Sequence, residues 1–92
     1  MTVPIVRKLK IVNEKGLHAR ASAKLVEVVE AHDASAYVSK DGMGASGDSI
    51  MGLLMLGAAR GETITVEASG PEAEALAAAL ERLVAERFGE DV

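Results

Sequence analysis

A chain of 92 residues with no low-complexity block has room for one domain, residues 1–92, and one modest core, near the size at which a single core becomes marginal. A net charge of −4 argues against a nucleic-acid partner, whose affinity rests on many Lys and Arg contacts to phosphate, and the two aromatics, Tyr37 and Phe88, make no base-stacking platform. The lack of cysteine excludes disulfides and thiolate sites, and with no leader-like amino end and no apolar run near the roughly 18 residues of a membrane span, the expected setting is the cytoplasm, unprocessed and off the membrane.

From Val3 to Val12 apolar Val3, Ile5, Leu9 and Ile11 alternate loosely with Arg7, Lys8 and Lys10, which predicts a half-buried strand broken at Asn13 to Gly16. Ala21, Leu25, Val28 and Val29 then recur at helical spacing, with Glu27 and Glu30 opposite, so a helix is expected from His18 or Ala19 to Ala31. His32 follows it, placed to bond the last carbonyls of the helix. Ala34 to Ser39 and Met43 to Ser46 read as two strands of a hairpin, turned by Lys40-Asp41-Gly42, where Asp-Gly readily supplies positive φ. Asp48 and Ser49 are good helix caps before the short apolar helix Ile50 to Leu56, closed by Gly57.

Glu62 to Ala68 alternates with β-branched residues and predicts the best-defined strand. A second long helix should follow, with Ser69 as N-cap, Glu72 completing a capping box, Pro71 in the first turn, Leu76, Leu80, Leu83 and Val84 as its buried stripe, and Gly89 as its end. The order β-α-β-β-α-β-α suits an α+β fold, an antiparallel or mixed sheet with its helices on one face.

The chemistry gathers where Gly16-Leu17-His18-Ala19-Arg20 passes from a glycine loop into the first helix. There the free backbone N–H groups of Ala19, Arg20 and Ala21 make an anion site, the helix dipole favours negative charge by about 0.3–1 kcal/mol, and the Arg20 guanidinium suits phosphate oxygens. The same field favours a neutral, nucleophilic His18, as phosphoryl acceptance requires. These three residue types alone are matched equally well by a plain N-cap or surface histidine. Two histidines without clustered carboxylates make no metal site, no cofactor is implied, and no phosphate loop or Ser-His-Asp spacing is present.

Gly16-Leu17-His18-Ala19-Arg20-Ala21-Ser22-Ala23 resembles the active-centre signature of the HPr family, the histidine-containing phosphocarriers of the bacterial phosphotransferase system, and Asp48-Ser49-Ile50-Met51-Gly52-Leu53-Leu54-Met55-Leu56-Gly57 resembles the family's second signature. The resemblance implies an open-faced β-sandwich, a four-stranded antiparallel sheet with three helices on one face. It further implies a stoichiometric carrier, not a turnover enzyme. His18 would accept phosphate on Nδ1 from enzyme I, charged by phosphoenolpyruvate, and pass it to a histidine of an enzyme IIA protein, with Arg20 and the helix-start amides holding the phosphoryl group. Ser49 matches the family's regulatory serine, the substrate in some bacteria of an HPr kinase/phosphorylase; as a plain N-cap it needs no such role.

Ala21 stands where many family members have proline, which should loosen the active centre slightly. With the Met- and Leu-rich short helix, it resembles family members of nitrogen-related regulatory chains more than those of sugar uptake, and the resemblance implies a carrier serving one or the other. That helix is too apolar to be buried on every side, and by the resemblance Ile50, Met51, Leu54 and Met55 would form the face on which partners dock on a monomer. The alternative readings are a regulatory module of the same fold controlled through Ser49 without use of His18, which the presence of both His18 and Arg20 disfavours, and an autonomous histidine-dependent phosphatase or transferase, for which convergent polar groups are too few.

Overall fold

Alternation in sequence becomes a two-faced sheet in the computed structural model, which describes residues 3–92. Four strands, β1 (Ile5–Lys10), β2 (Ser35–Lys40), β3 (Met43–Ser46) and β4 (Thr63–Ser69), lie in the order β1-β4-β2-β3, every neighbouring pair antiparallel. Register puts apolar residues opposite one another on one side: Leu9 faces Ile64, Val38 faces both Val66 and Ala45, and Ala36 faces Ala68. Those side chains are buried, while Lys8, Tyr37 and Thr63 sit on the uncovered side.

Three helices, α1 (Ala19–Glu30), α2 (Ile50–Met55) and α3 (Ala73–Ala85), close the apolar side. The core is made by Leu25 and Val29 of α1, Leu53 of α2, and Leu76, Leu80 and Val84 of α3 against the inner faces of the strands. None of the helices is long and apolar enough, among the described residues, to cross a membrane. The expected α+β architecture is the observed one.

Local chemistry explains most element ends. Asp41 and Gly42 take φ of 50° and 82°, the two left-handed positions that a tight hairpin between Lys40 and Met43 requires. Ser49 caps α2, its Oγ accepting from the Gly52 N–H at 3.0 Å. His32 Nδ1 lies 2.8 Å from the Val28 carbonyl, the helix-end bond its position suggested.

Two expectations fail at α3. Ser69 is the last residue of β4, paired with Ser35, so it cannot cap the helix; Gly70 at φ 112° turns the chain, Pro71 precedes the helix, and Glu72 is the N-cap residue without a side-chain cap bond. The Glu72 carboxylate instead accepts from the Asp33 N–H at 2.5 Å, tying the start of α3 to the loop after α1. The helix also ends at Ala85, not Gly89, because Arg87, Phe88 and Gly89 form a separate turn with φ of 59°, 54° and 80°. Leu83 is only partly buried, and Arg7, expected on the solvent side, points inward at the edge of β1 to meet Glu81 of α3 at 3.6 Å.

The loop before α1 is fixed from across the molecule. Gly16 has φ 68°, and a Cβ there would come 2.5 Å from the Ala58 carbonyl oxygen, which accepts from the Leu17 N–H at 2.9 Å. Gly16→Ala should therefore cost roughly 2 kcal/mol or more from left-handed strain and backbone collision together. Urea unfolding checks it; a loss under about 0.5 kcal/mol would show that this loop yields freely.

Candidate functional site

His18 sits half-extended just ahead of α1, with φ −79° and ψ −177°, as its N-cap residue. Its carbonyl accepts from the Ser22 N–H at 2.8 Å, and its ring turns back so that Nδ1 accepts from the Arg20 N–H at 3.3 Å. The amides of Ala19, Arg20 and Ala21 are not taken up by backbone carbonyls, so the first turn presents the donor cluster expected of a helix start.

The opposite ring nitrogen, Nε2, contacts the Glu90 carboxylate. An ionised carboxylate only accepts, so Nε2 carries the proton; Nδ1, which accepts from Arg20, keeps its lone pair. The imidazole is thus held as the Nε2–H tautomer, with its basic nitrogen at the positive end of the helix. Its side chain is 27% exposed, so the ring can be reached from solvent.

Glu90 is held in turn. Its Oε1 accepts from Asn13 Nδ2 at 3.0 Å, and the same nitrogen donates to the Gly16 carbonyl at 2.8 Å, so the fully buried Asn13 ties the His18 loop to the carboxyl-terminal segment. Lys24 of α1 donates to the Phe88 carbonyl at 2.6 Å, and the Glu14 N–H donates to the Val92 carbonyl at 3.1 Å. Burial pushes the Glu90 carboxyl up, but hydrogen bonds from Asn13 and His18 and the positive charge of Lys15 outweigh it and hold it below the ordinary carboxylate value.

The sign of the linkage follows. A carboxyl depressed in the folded state adds stability that is complete above its unfolded value and is lost as pH falls through its folded value. Docking of residues 88–92 should accordingly persist at neutral pH and weaken below the ordinary carboxylate range. An acid titration followed on the amide signals of Phe88 to Val92 checks this; signals that do not move before global unfolding would refute it.

Lys15, His18, Arg20 and Lys24 share an open pocket of about 590 Å³ with Glu90, Asp91 and Val92. Arg20 is exposed, and its guanidinium meets no carboxylate among the described residues, which leaves it available to an incoming anion. No local pattern marks Glu90, Asn13 or Lys24, whose contacts here span 64 to 77 residues.

The second motif lies elsewhere on the same layer. α2 packs on α1 and on β3, with Gly52 so close to the sheet that a Cβ would come 2.9 Å from the Ala45 methyl group. Leu53 and Leu56 are buried, Leu54 is half-buried, and Ile50, Met51 and Met55 are 40%, 70% and 68% exposed. Only part of this apolar helix is core, and its outer side offers an adaptable apolar surface. Ser49 is half-buried at its start, its hydroxyl already used as the cap.

Comparison with known proteins points to one family over nearly the whole chain. The family model described as the PTS HPr component phosphorylation site matches residues 5–86. The chain is 43% identical over 84 residues to phosphocarrier protein HPr of Cupriavidus necator, covering 91% of this chain and 94% of that one. It is 39% identical over 88 residues to phosphocarrier protein NPr of Escherichia coli, covering 95% and 98%. Among solved structures, HPr-C-His from Thermoanaerobacter tengcongensis superposes with a TM-score of 0.90 at 32% identity, covering 96% of this chain and 99% of that one.

Proposed function

The chain belongs to the HPr family of the phosphotransferase system, and from that membership and the geometry around His18 we propose that it is a stoichiometric phosphocarrier that takes one phosphoryl group on His18 Nδ1 and hands it to a partner protein. The observation that carries the reading is the placing of His18 Nδ1 at the amino end of α1 with Nε2 against the Glu90 carboxylate, an arrangement that assigns the proton to Nε2 and the lone pair to Nδ1. In the transfer, that lone pair forms the new N–P bond while the bond from phosphorus to the donor breaks and its electron pair leaves with the donor. No proton has to be removed from Nδ1 first; the Arg20 N–H that donates to it moves to a phosphoryl oxygen as the bond forms. The amides of Ala19, Arg20 and Ala21, with the Arg20 guanidinium, receive the phosphoryl oxygens.

The donor in this reading is enzyme I, charged by phosphoenolpyruvate, and the acceptor is a histidine of an enzyme IIA protein. Ile50, Met51, Leu54 and Met55 form the docking face, where exposed methionines suit a surface that meets several partners in turn. Ala21 in place of the common proline, together with these methionines, supports a nitrogen-related regulatory chain over sugar uptake. Ser49 is a regulatory phosphorylation site for an HPr kinase/phosphorylase wherever that enzyme is present; a phosphate there would have to displace the cap on Gly52 and bring two negative charges to the start of the docking helix.

The experiment is incubation with phosphoenolpyruvate and purified enzyme I, followed by intact mass before and after acid. One phosphate that acid removes is the expected result. An acid-stable phosphate, or none, overturns the carrier reading and leaves the Ser49-controlled module as the better account.

A further inference from the structure

The carboxylate on Nε2 comes from the far end of the chain, and several features act together to bring it there. Arg87, Phe88 and Gly89 turn the backbone left-handed, the buried Phe88 side chain anchors that turn in the core, and Lys24 holds the Phe88 carbonyl from α1. Asn13, fully buried, then grips Glu90 Oε1 and leaves Oε2 for His18. Two left-handed non-glycine residues are a conformation that a chain avoids unless its surroundings over-determine it.

We propose that Glu90 is a positioning residue for phosphoryl transfer: through Nε2–H it selects the tautomer that bares Nδ1, fixes the ring against α1, and balances the positive charge that the ring gains as the N–P bond forms. The inference rests on the carrier reading for its kinetic part. When Nδ1 bonds to phosphorus while Nε2 keeps its proton, the imidazole ring becomes formally cationic, and the Glu90 carboxylate already lies against it. This is the division of labour of an imidazole oriented by a carboxylate, in which one nitrogen reacts and the other is held. Asn13 serves the same end at one remove, since without it nothing else among the described residues donates to Glu90 Oε1.

The test has one readout that needs no transfer at all. In the free protein labelled with nitrogen-15, the imidazole spectrum at neutral pH should show the proton of His18 on Nε2 and a protected N–H signal, both present in wild type and Glu90→Gln, which keeps a carbonyl acceptor, with the N–H signal lost in Glu90→Ala. Phosphorylation by enzyme I should then be slowed about tenfold in Glu90→Ala and less in Glu90→Gln, the range usual for loss of a group that orients a reactive histidine. A proton found on Nδ1 in the wild type, or a Glu90→Ala protein phosphorylated as fast as wild type, overturns the proposal. Because the spectrum is read before any phosphoryl group is offered, a failure of the carrier reading would leave the tautomer assignment standing, whereas a failure of Glu90's role would leave the wild type phosphorylated on His18.

Discussion

His18→Ala should lose the acid-labile phosphate completely while keeping its fold. No other side chain among the described residues places an imidazole at the start of a helix: His32, the second histidine, lies beyond the far end of α1 with Nδ1 engaged by the Val28 carbonyl. The lost ring removes only a 3.3 Å bond to the Arg20 N–H and the contact to Glu90, so destabilisation should stay near the ~1 kcal/mol of a missing N-cap. Intact mass after incubation with phosphoenolpyruvate and enzyme I reads the first claim, and urea unfolding reads the second. Phosphate retained by a folded His18→Ala protein would place the chemistry elsewhere, with Ser49 the first place to look.

Phe88→Ala should be the most damaging single truncation. Phe88 is the largest wholly buried side chain, and its removal should cost about 3–5 kcal/mol from lost burial and the cavity left behind. A domain of this size is held by only ~5–15 kcal/mol, so the variant stands close to unfolding at ordinary temperature. The loss reaches the site as well, because the left-handed turn at Arg87 and Phe88 is maintained by that burial, and Glu90 is carried by the turn. A urea midpoint lowered by about 2 M, at slopes typical of small domains, is the expected reading; a shift below about 0.5 M would mean that the turn holds without its anchor.

How far the sequence foretold this molecule depends on how local each feature is. Strand alternation, the Asp41-Gly42 turn and the cap at Ser49 are written within a few residues, and each is found where its chemistry puts it. The loop-to-helix junction at His18 was legible for the same reason, since a glycine loop and a run of helical apolar spacing meet there. The capping box at Ser69 was a good local pattern that a stronger demand displaced: β4 needed Ser69 opposite Ser35, and Glu72 was drawn to the Asp33 amide.

The Glu90 contact had no local trace at all. It spans 72 residues and depends on two non-glycine residues adopting a backbone that their own preferences oppose, so only the completed core could reveal it. Arg7 is a smaller case of the same kind. Strand alternation places its side chain on the inner face, and the edge position of β1 with Glu81 nearby lets a charged residue stay there.

The strand order also sets when the site can exist during synthesis. Both β1 and β2 pair with β4, the last of the four strands in chain order, so a nascent chain that stops short of Thr63 has a hairpin and two helices but no sheet to join them. The loop carrying His18 is worse placed still: its support at Ala58 arrives late, and Glu90 comes later than any strand. Such distant pairings fold slowly compared with neighbouring ones. A growing chain therefore displays the segment around His18 long before that ring can take its place between the Arg20 amide and Glu90.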